Sequence, residues 1–168
     1  RTPMNAIIGM TSVARQECQD ETICGYLDKI KSSSEFLLGL INDMLDTMYE
    51  AMGVGLAAPQ VGVLKRVVII DVGNGVIELI NPEFVSVSGK KTSVEGCLSV
   101  PDRWGEVERP AKVVVRALNR KGEEFEITGE ELLATALCHE LDHLDGIIFV
   151  DKATRFIEPE DLADEDDE

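Results

Sequence analysis

The chain has 168 residues, 44% of them hydrophobic and 29% charged, with a net charge of −16, a size and balance that suit one globular domain carrying a helical appendage. That charge excludes nucleic-acid backbones and anionic membranes as partners, because long-range repulsion opposes both. No apolar run approaches the ~18 residues of a membrane span and the first residues lack a secretory pattern, so a cytoplasmic location is expected.

Residues 1 to about 52 carry apolar residues at helical spacing: Tyr26, Leu27 and Ile30, then Phe36, Leu37, Leu40, Ile41, Met44, Leu45 and Met48. This predicts a helical hairpin. Pro3 suits a first helical turn, and Gln19-Asp20-Glu21-Thr22 predicts the turn and N-cap before a second, longer helix. Cys18 and Cys24 fall in this polar stretch, and in a cytoplasmic chain they are expected to stay unpaired and inert.

The segment Gly53-Val54-Gly55-Leu56-Ala57-Ala58-Pro59-Gln60-Val61-Gly62 is apolar and punctuated by glycine, unlike an amphipathic helix or an alternating strand. It reads as a loop laid against a ligand, or as a tight structural turn. Gln60 is its only polar side chain, an amide able to donate to a developing oxyanion. Beyond it, Lys65 to Asp71, Val76 to Ile80, Phe84 to Ser88, Ala111 to Ala117 and Glu123 to Ile127 read as strands. They are divided by Gly73-Asn74-Gly75, Asn81-Pro82, Ser88-Gly89 and Lys121-Gly122. Arg103 and Trp104 read as loop residues, on the surface or against a ligand.

From Glu130 to Leu144 the residues Leu133, Leu137, Leu141 and Leu144 recur at helical spacing, Glu130 and Glu131 make an acidic first turn, and Gly146 supplies a stop. Strands followed by one buried helix predict an α+β domain in which a mainly antiparallel sheet wraps that helix. The last segment, from Glu158 to Glu168, holds acidic residues and no basic one, and reads as a solvated tail.

The predicted helix contains His139-Glu140-Leu141-Asp142-His143, which uses both histidines of the chain. Residues four apart project from one helical face, so the two imidazoles can converge on one ion. Glu140 lies beside the first of them, placed to take a proton from activated water without binding the ion. A third ligand has to come from elsewhere, and Cys97 in Glu95-Gly96-Cys97-Leu98-Ser99 is the best source, since two histidines and one cysteine leave a tetrahedral position open. The alternatives are packing histidines that happen to match a short pattern and a small buried Cys97. Cys138 adjoins the motif on another side of the helix and reads as packing.

From about Asp43 onward the chain resembles the peptide deformylase family, which is marked by three motifs in this order: Gly53-Val54-Gly55-Leu56-Ala57-Ala58-Pro59-Gln60, Glu95-Gly96-Cys97-Leu98-Ser99 and His139-Glu140-Leu141-Asp142-His143. The resemblance implies removal of the formyl group from the N-terminal methionine of nascent bacterial polypeptides, with release of formate and association with the ribosome. It implies that Cys97, His139 and His143 hold a divalent ion, Fe²⁺ physiologically, with Ni²⁺, Co²⁺ or Zn²⁺ able to substitute. Glu140 would act as general base and then acid, and the Gln60 side chain with the Leu98 backbone N–H would stabilise the oxyanion. By the same resemblance Gly55 and Gly96 lie along the peptide backbone, and Val54, Leu132 and Ala136 line the methionine pocket. An HExxH peptidase is the competing metallohydrolase, but such enzymes usually take their third ligand downstream.

The family normally begins with a strand and loop, and here residues 1 to 46 resemble instead the dimerisation and phosphoacceptor helices of sensor histidine kinases, in Arg1 to Met10 and Tyr26 to Asp46. This divides the chain into a hairpin at 1–45 and a catalytic domain at 46–168 that ends in the acidic tail. In those kinases the phosphoacceptor histidine lies just before the Arg-Thr-Pro run, whereas here residues 1–138 contain no histidine. Self-contained phosphotransfer is therefore not expected. What survives is a homodimer built by these helices, or helices that cap the sheet where the usual strand would lie. An impaired deformylase-like domain in a chimeric chain is the alternative functional expectation.

Overall fold

The computed structural model describes residues 3–158, so the tail past Glu158 lies outside the described residues. Two helices come first, α1 (Pro3–Glu17) and α2 (Glu21–Glu50). The expected hairpin is present, and Asp20 caps α2: its carboxylate accepts from the backbone N–H groups of Thr22 at 2.8 Å and Ile23 at 3.1 Å, two donors that have no partner within the helix. Arg15 pairs with Asp28 across the hairpin at 2.9 Å. One expectation fails here, because Cys18 and Cys24 are joined in a disulfide. The short turn brings their Cα atoms to 5.8 Å, ordinary disulfide spacing, and that proximity is a product of the turn geometry rather than of the cysteine count.

Eight strands and a third helix follow: β1 (Gly55–Ala57), β2 (Val67–Ile70), β3 (Ile77–Ser88), β4 (Lys91–Cys97), β5 (Val100–Arg109), β6 (Lys112–Leu118), β7 (Glu124–Glu130), α3 (Glu131–Leu144) and β8 (Arg155–Ile157). The strands form two sheets, ordered β1-β2-β3-β6-β7 and β4-β5-β8, with every pairing antiparallel. The predicted α+β architecture around a central helix is therefore the observed one. Leu137, Leu141, Ala134, Ala136 and Cys138 of α3 pack with Val68, Ile70, Leu79, Val113 and Val115 of the larger sheet. Cys138 is thus core, as expected. Gly146, with φ of 75°, follows the helix as its stop.

A second core cluster joins α2 to the same sheet, where Leu40, Ile41, Met44 and Met48 meet Leu56, Val67 and Ile69. These are residues whose spacing predicted the helix. Tyr26, Ile30 and Phe36 belong to the same periodicity yet remain exposed, ahead of the stretch from Leu40 to Met48 that is buried against the sheet.

Three local readings are corrected. Asn81-Pro82 does not divide two strands, since β3 runs through it and absorbs the missing proline N–H in register shifts between Ile80 and Glu83 and between Phe84 and Ser86. Residues 53–62 are not one loop: β1 pairs with β2 and a 3-10 turn at Ala58–Val61 follows. Arg103 and Trp104 sit in strand β5, where Trp104 pairs with Gly96 on one side and Ile157 on the other.

Candidate active site

Cys97 closes β4, at a register shift between Gly96 and Cys97 as the strand turns into β5. A bulge of this kind re-aims a side chain, and here the thiol meets the two imidazoles that α3 presents one turn apart. Cys97 Sγ lies 3.2 Å from His143 Nε2, which lies 3.2 Å from His139 Nε2. The three ligand atoms fall within 4.8 Å of one another. Among the described residues this is the group able to hold a metal, and no downstream acid joins it.

The ring of His139 is fixed from behind. Its Nδ1 lies 2.8 Å from Glu95 Oε2, so the Nδ1 proton bonds to a carboxylate and Nε2 is left to face the thiol. Glu95 is also gripped by Arg109, Nε to Oε1 at 2.6 Å and Nη2 to Oε2 at 2.9 Å. Phe149 stacks on His139 with ring centroids 6.3 Å apart. Burial by itself would push the Glu95 carboxyl up, but hydrogen bonds from Arg109 and His139 hold it below the usual range. Burial likewise favours a neutral Cys97 thiol, yet hydrogen bonds from His139 and His143 and from the Ser99 N–H bring it down to about 5. Burial would lower His139, and its bonds to Cys97 and Glu95 instead raise it to about 10.

Glu140 is buried, and burial pushes its carboxyl up to about 7 against the pull of both histidines. Its Oε2 has no hydrogen-bond partner. Gly55 explains how the carboxylate fits, because a Cβ there would lie 2.5 Å from Glu140 Oε1. Gly55, the residue expected along a bound peptide, lies over the Glu140 carboxylate. Gln60 is held by its oxygen, which accepts from the Ala57 N–H at 2.8 Å. That fixes its NH₂ toward Ser99 Oγ at 3.0 Å and toward Cys97 Sγ at 3.7 Å.

These groups open into a cavity of about 510 Å³ walled by Gln60, Gly96, Cys97, Leu98, His139 and Glu140, a volume suited to a small ligand or a peptide end. Val54, Leu132 and Ala136 line the same cavity, so all the expected site residues except Gly55 and His143 wall it, and His143 lies just behind. Thr135 also lines it, with its hydroxyl spent on Ser93 Oγ at 3.1 Å. Sequence reading missed the roles of Glu95, Arg109 and Thr135. For Glu95 a signal existed, since it stands in the same motif as Cys97; for Arg109 none did, because a charge in an alternating stretch reads as solvent-facing.

Two imidazole nitrogens and an ionised thiol converging at one point form a soft, tetrahedral-type donor set. The unpartnered buried oxygen of Glu140 adds a proton acceptor beside it, so these residues fit a divalent ion with an activated water. The fold and this centre define a hydrolytic metalloenzyme.

The polypeptide deformylase family model matches residues 16–158. A peptide deformylase of Caldicellulosiruptor bescii is 58% identical over 144 residues, 86% of this chain and 87% of that protein, and one from Alkaliphilus metalliredigens is 64% identical over 126 residues, 75% of this chain and 84% of that protein. The crystal structure of a Legionella pneumophila peptide deformylase superposes with a TM-score of 0.69 at 52% identity, over 77% of this chain and 76% of that one. That of Thermotoga maritima gives 0.70 at 41% identity, over 71% and 82%. The chain belongs to the peptide deformylase family. The match takes in all of α2, so it extends well ahead of residue 43, where the sequence reading began the resemblance, and the likeness of residues 1–46 to sensor-kinase helices gains no support.

Proposed function

We propose that this chain removes the formyl group from the N-terminal methionine of nascent polypeptides, releasing formate, with Cys97, His139 and His143 holding one divalent ion. The observation that carries the residue roles is the buried, unpartnered Oε2 of Glu140 in the wall of the cavity those ligands enter. When bound, the ion supplies Lewis acidity, acidifying water and polarising the formyl carbonyl. Glu140 takes the proton of the attacking water and passes it to the departing amine as the formamide C–N bond breaks. A carboxyl held up to about 7 suits a group that both accepts and returns a proton near neutrality. Gln60, through its oriented NH₂, and the Leu98 backbone N–H donate to the developing oxyanion. Val54, Leu132 and Ala136 receive the methionine side chain, and Gly96 lets the peptide backbone approach.

Membership of the family points to Fe²⁺ as the physiological ion, and a donor set of one thiolate and two imidazoles also accepts Ni²⁺, Co²⁺ or Zn²⁺ as substitutes. The substrate is a nascent chain, so action at the ribosome and in the cytoplasm belongs to the same reading. Residues 1–45 form a helical element beside the catalytic domain at 46–168, and pair it with a second copy. Support for the pairing comes from Ile7, Met10, Val13, Ile23, Tyr26 and Ile30, large apolar residues of α1 and α2 that stay exposed at spacings suited to helix bundling.

The test is formate release from a formyl-Met peptide by the iron-loaded chain, beside a Glu140→Ala control. Release well above that control is expected. Equal rates, with metal bound in both, would overturn the reading.

A further inference from the structure

The three metal-facing atoms come from two separate elements, β4 with Cys97 and α3 with His139 and His143, and a centre of this kind works only if strand and helix keep a fixed separation. A circuit of charged groups spans that gap. It runs from His139 Nδ1 to Glu95 Oε2 at 2.8 Å, from both Glu95 oxygens to Arg109 Nε and Nη2 at 2.6 and 2.9 Å, and from Arg109 Nη1 back to α3 at Asp142 Oδ2, 2.6 Å away. It continues to Lys152, whose Nζ meets both Asp142 oxygens at 2.7 Å. The circuit thus leaves α3 at His139, passes through β4 and β5, and returns to α3 three residues later.

Its charges alternate, and its burial decreases outward. The Arg109 and Glu95 side chains are 3% and 2% exposed, Asp142 14% and Lys152 38%. A buried guanidinium with one anion removed keeps its charge and shifts toward the anion that remains. Asp142 and Glu95 hold Arg109 from opposite sides, so the pull of Asp142 sets where Arg109, and with it Glu95, comes to rest against the His139 ring. Lys152 fixes both oxygens of Asp142 from the side nearest solvent.

We propose that Asp142 and Lys152 are positioning residues for the metal centre: acting through Arg109 and Glu95, they hold the helix carrying both histidines in register with the strand carrying Cys97. This rests on the metal-centre reading above. A purely structural ion-pair network predicts lower stability and an unchanged centre. A positioning role predicts a changed centre.

The experiment loads the full chain with Co²⁺, whose visible absorption reports ligand geometry, in Lys152→Met, Lys152→Arg and Asp142→Asn variants. The expected result is Co²⁺ release roughly tenfold faster in Lys152→Met and Asp142→Asn, in the range that outer partners of metal-bound histidines command, with a shifted absorption envelope and with Lys152→Arg restoring both. Lys152→Met is the decisive variant, because it alters only the half-exposed end of the circuit and leaves the buried pair intact. Wild-type release rates and spectra in Lys152→Met and in any folded Asp142→Asn overturn the proposal, whatever happens to their melting temperatures. Failure of the unsubstituted chain to bind Co²⁺ overturns the metal-centre reading instead, and this inference with it.

Discussion

At Glu140 two opposing effects decide the chemistry. Burial raises the carboxyl to about 7, while the neighbouring imidazoles favour its ionised form. A base works only when ionised, so a raised pKa moves the loss of activity upward in pH: kcat/KM is expected to fall as pH drops through the neutral region and to level off above it. Glu140→Gln keeps the shape and cannot carry the proton, so it lowers kcat by about 10²–10⁴, with bound metal unchanged on elemental analysis. Cys97 and His139 make a second prediction. With the thiol at about 5 and the imidazole at about 10, the metal-free pair at pH 7 is a thiolate beside an imidazolium, and an incoming ion has to displace the imidazolium proton. About one proton per ion is therefore released at pH 7, measurable by calorimetry in two buffers of different ionisation enthalpy; zero release would contradict the assigned charges.

At the scale of elements, α2 has two halves with different surroundings. Met44 is fully buried in the cluster that ties the helix to β1 and β2, so Met44→Ala is expected to cost about 2–5 kcal/mol, read from the chemical-denaturation midpoint. Helical period alone could not separate this half from the exposed one, since Tyr26 and Met44 obey the same spacing and differ only in what lies alongside. The strands show the same limit. Short β-branched runs bounded by turn residues marked β2 and β6, but β4 and β5 were not assigned as strands, because Glu95 and Arg109 occupy inward positions normally held by apolar residues. Each charge is tolerated there only because the other neutralises it, and that pairing joins residues 14 apart in sequence.

At the scale of the whole molecule, the charge of −16 opposes association of copies through most surfaces. The hairpin is the exception, with its exposed apolar residues. A dimer in light scattering at micromolar concentration is expected, weakened by Tyr26→Lys or Met10→Lys; a monomer under those conditions would contradict the pairing.

The sequence by itself carried the proposed chemistry: the candidate ligands, proton carrier and oxyanion donor stand in short motifs whose spacing is local, one helical turn for His139 and His143 and a five-residue motif for Cys97. It also determined the α+β class, since period and turn residues are local properties. Only the tertiary structure decided what surrounds those groups. It set the unpartnered oxygen of Glu140, the glycine that makes room for it, the disulfide across the hairpin turn, and the charged circuit from His139 to Lys152. The disulfide follows from the fold of one short turn, its cysteines being six residues apart; the others depend on distances between segments far apart in the chain, and such distances are fixed by packing rather than by any pattern along it.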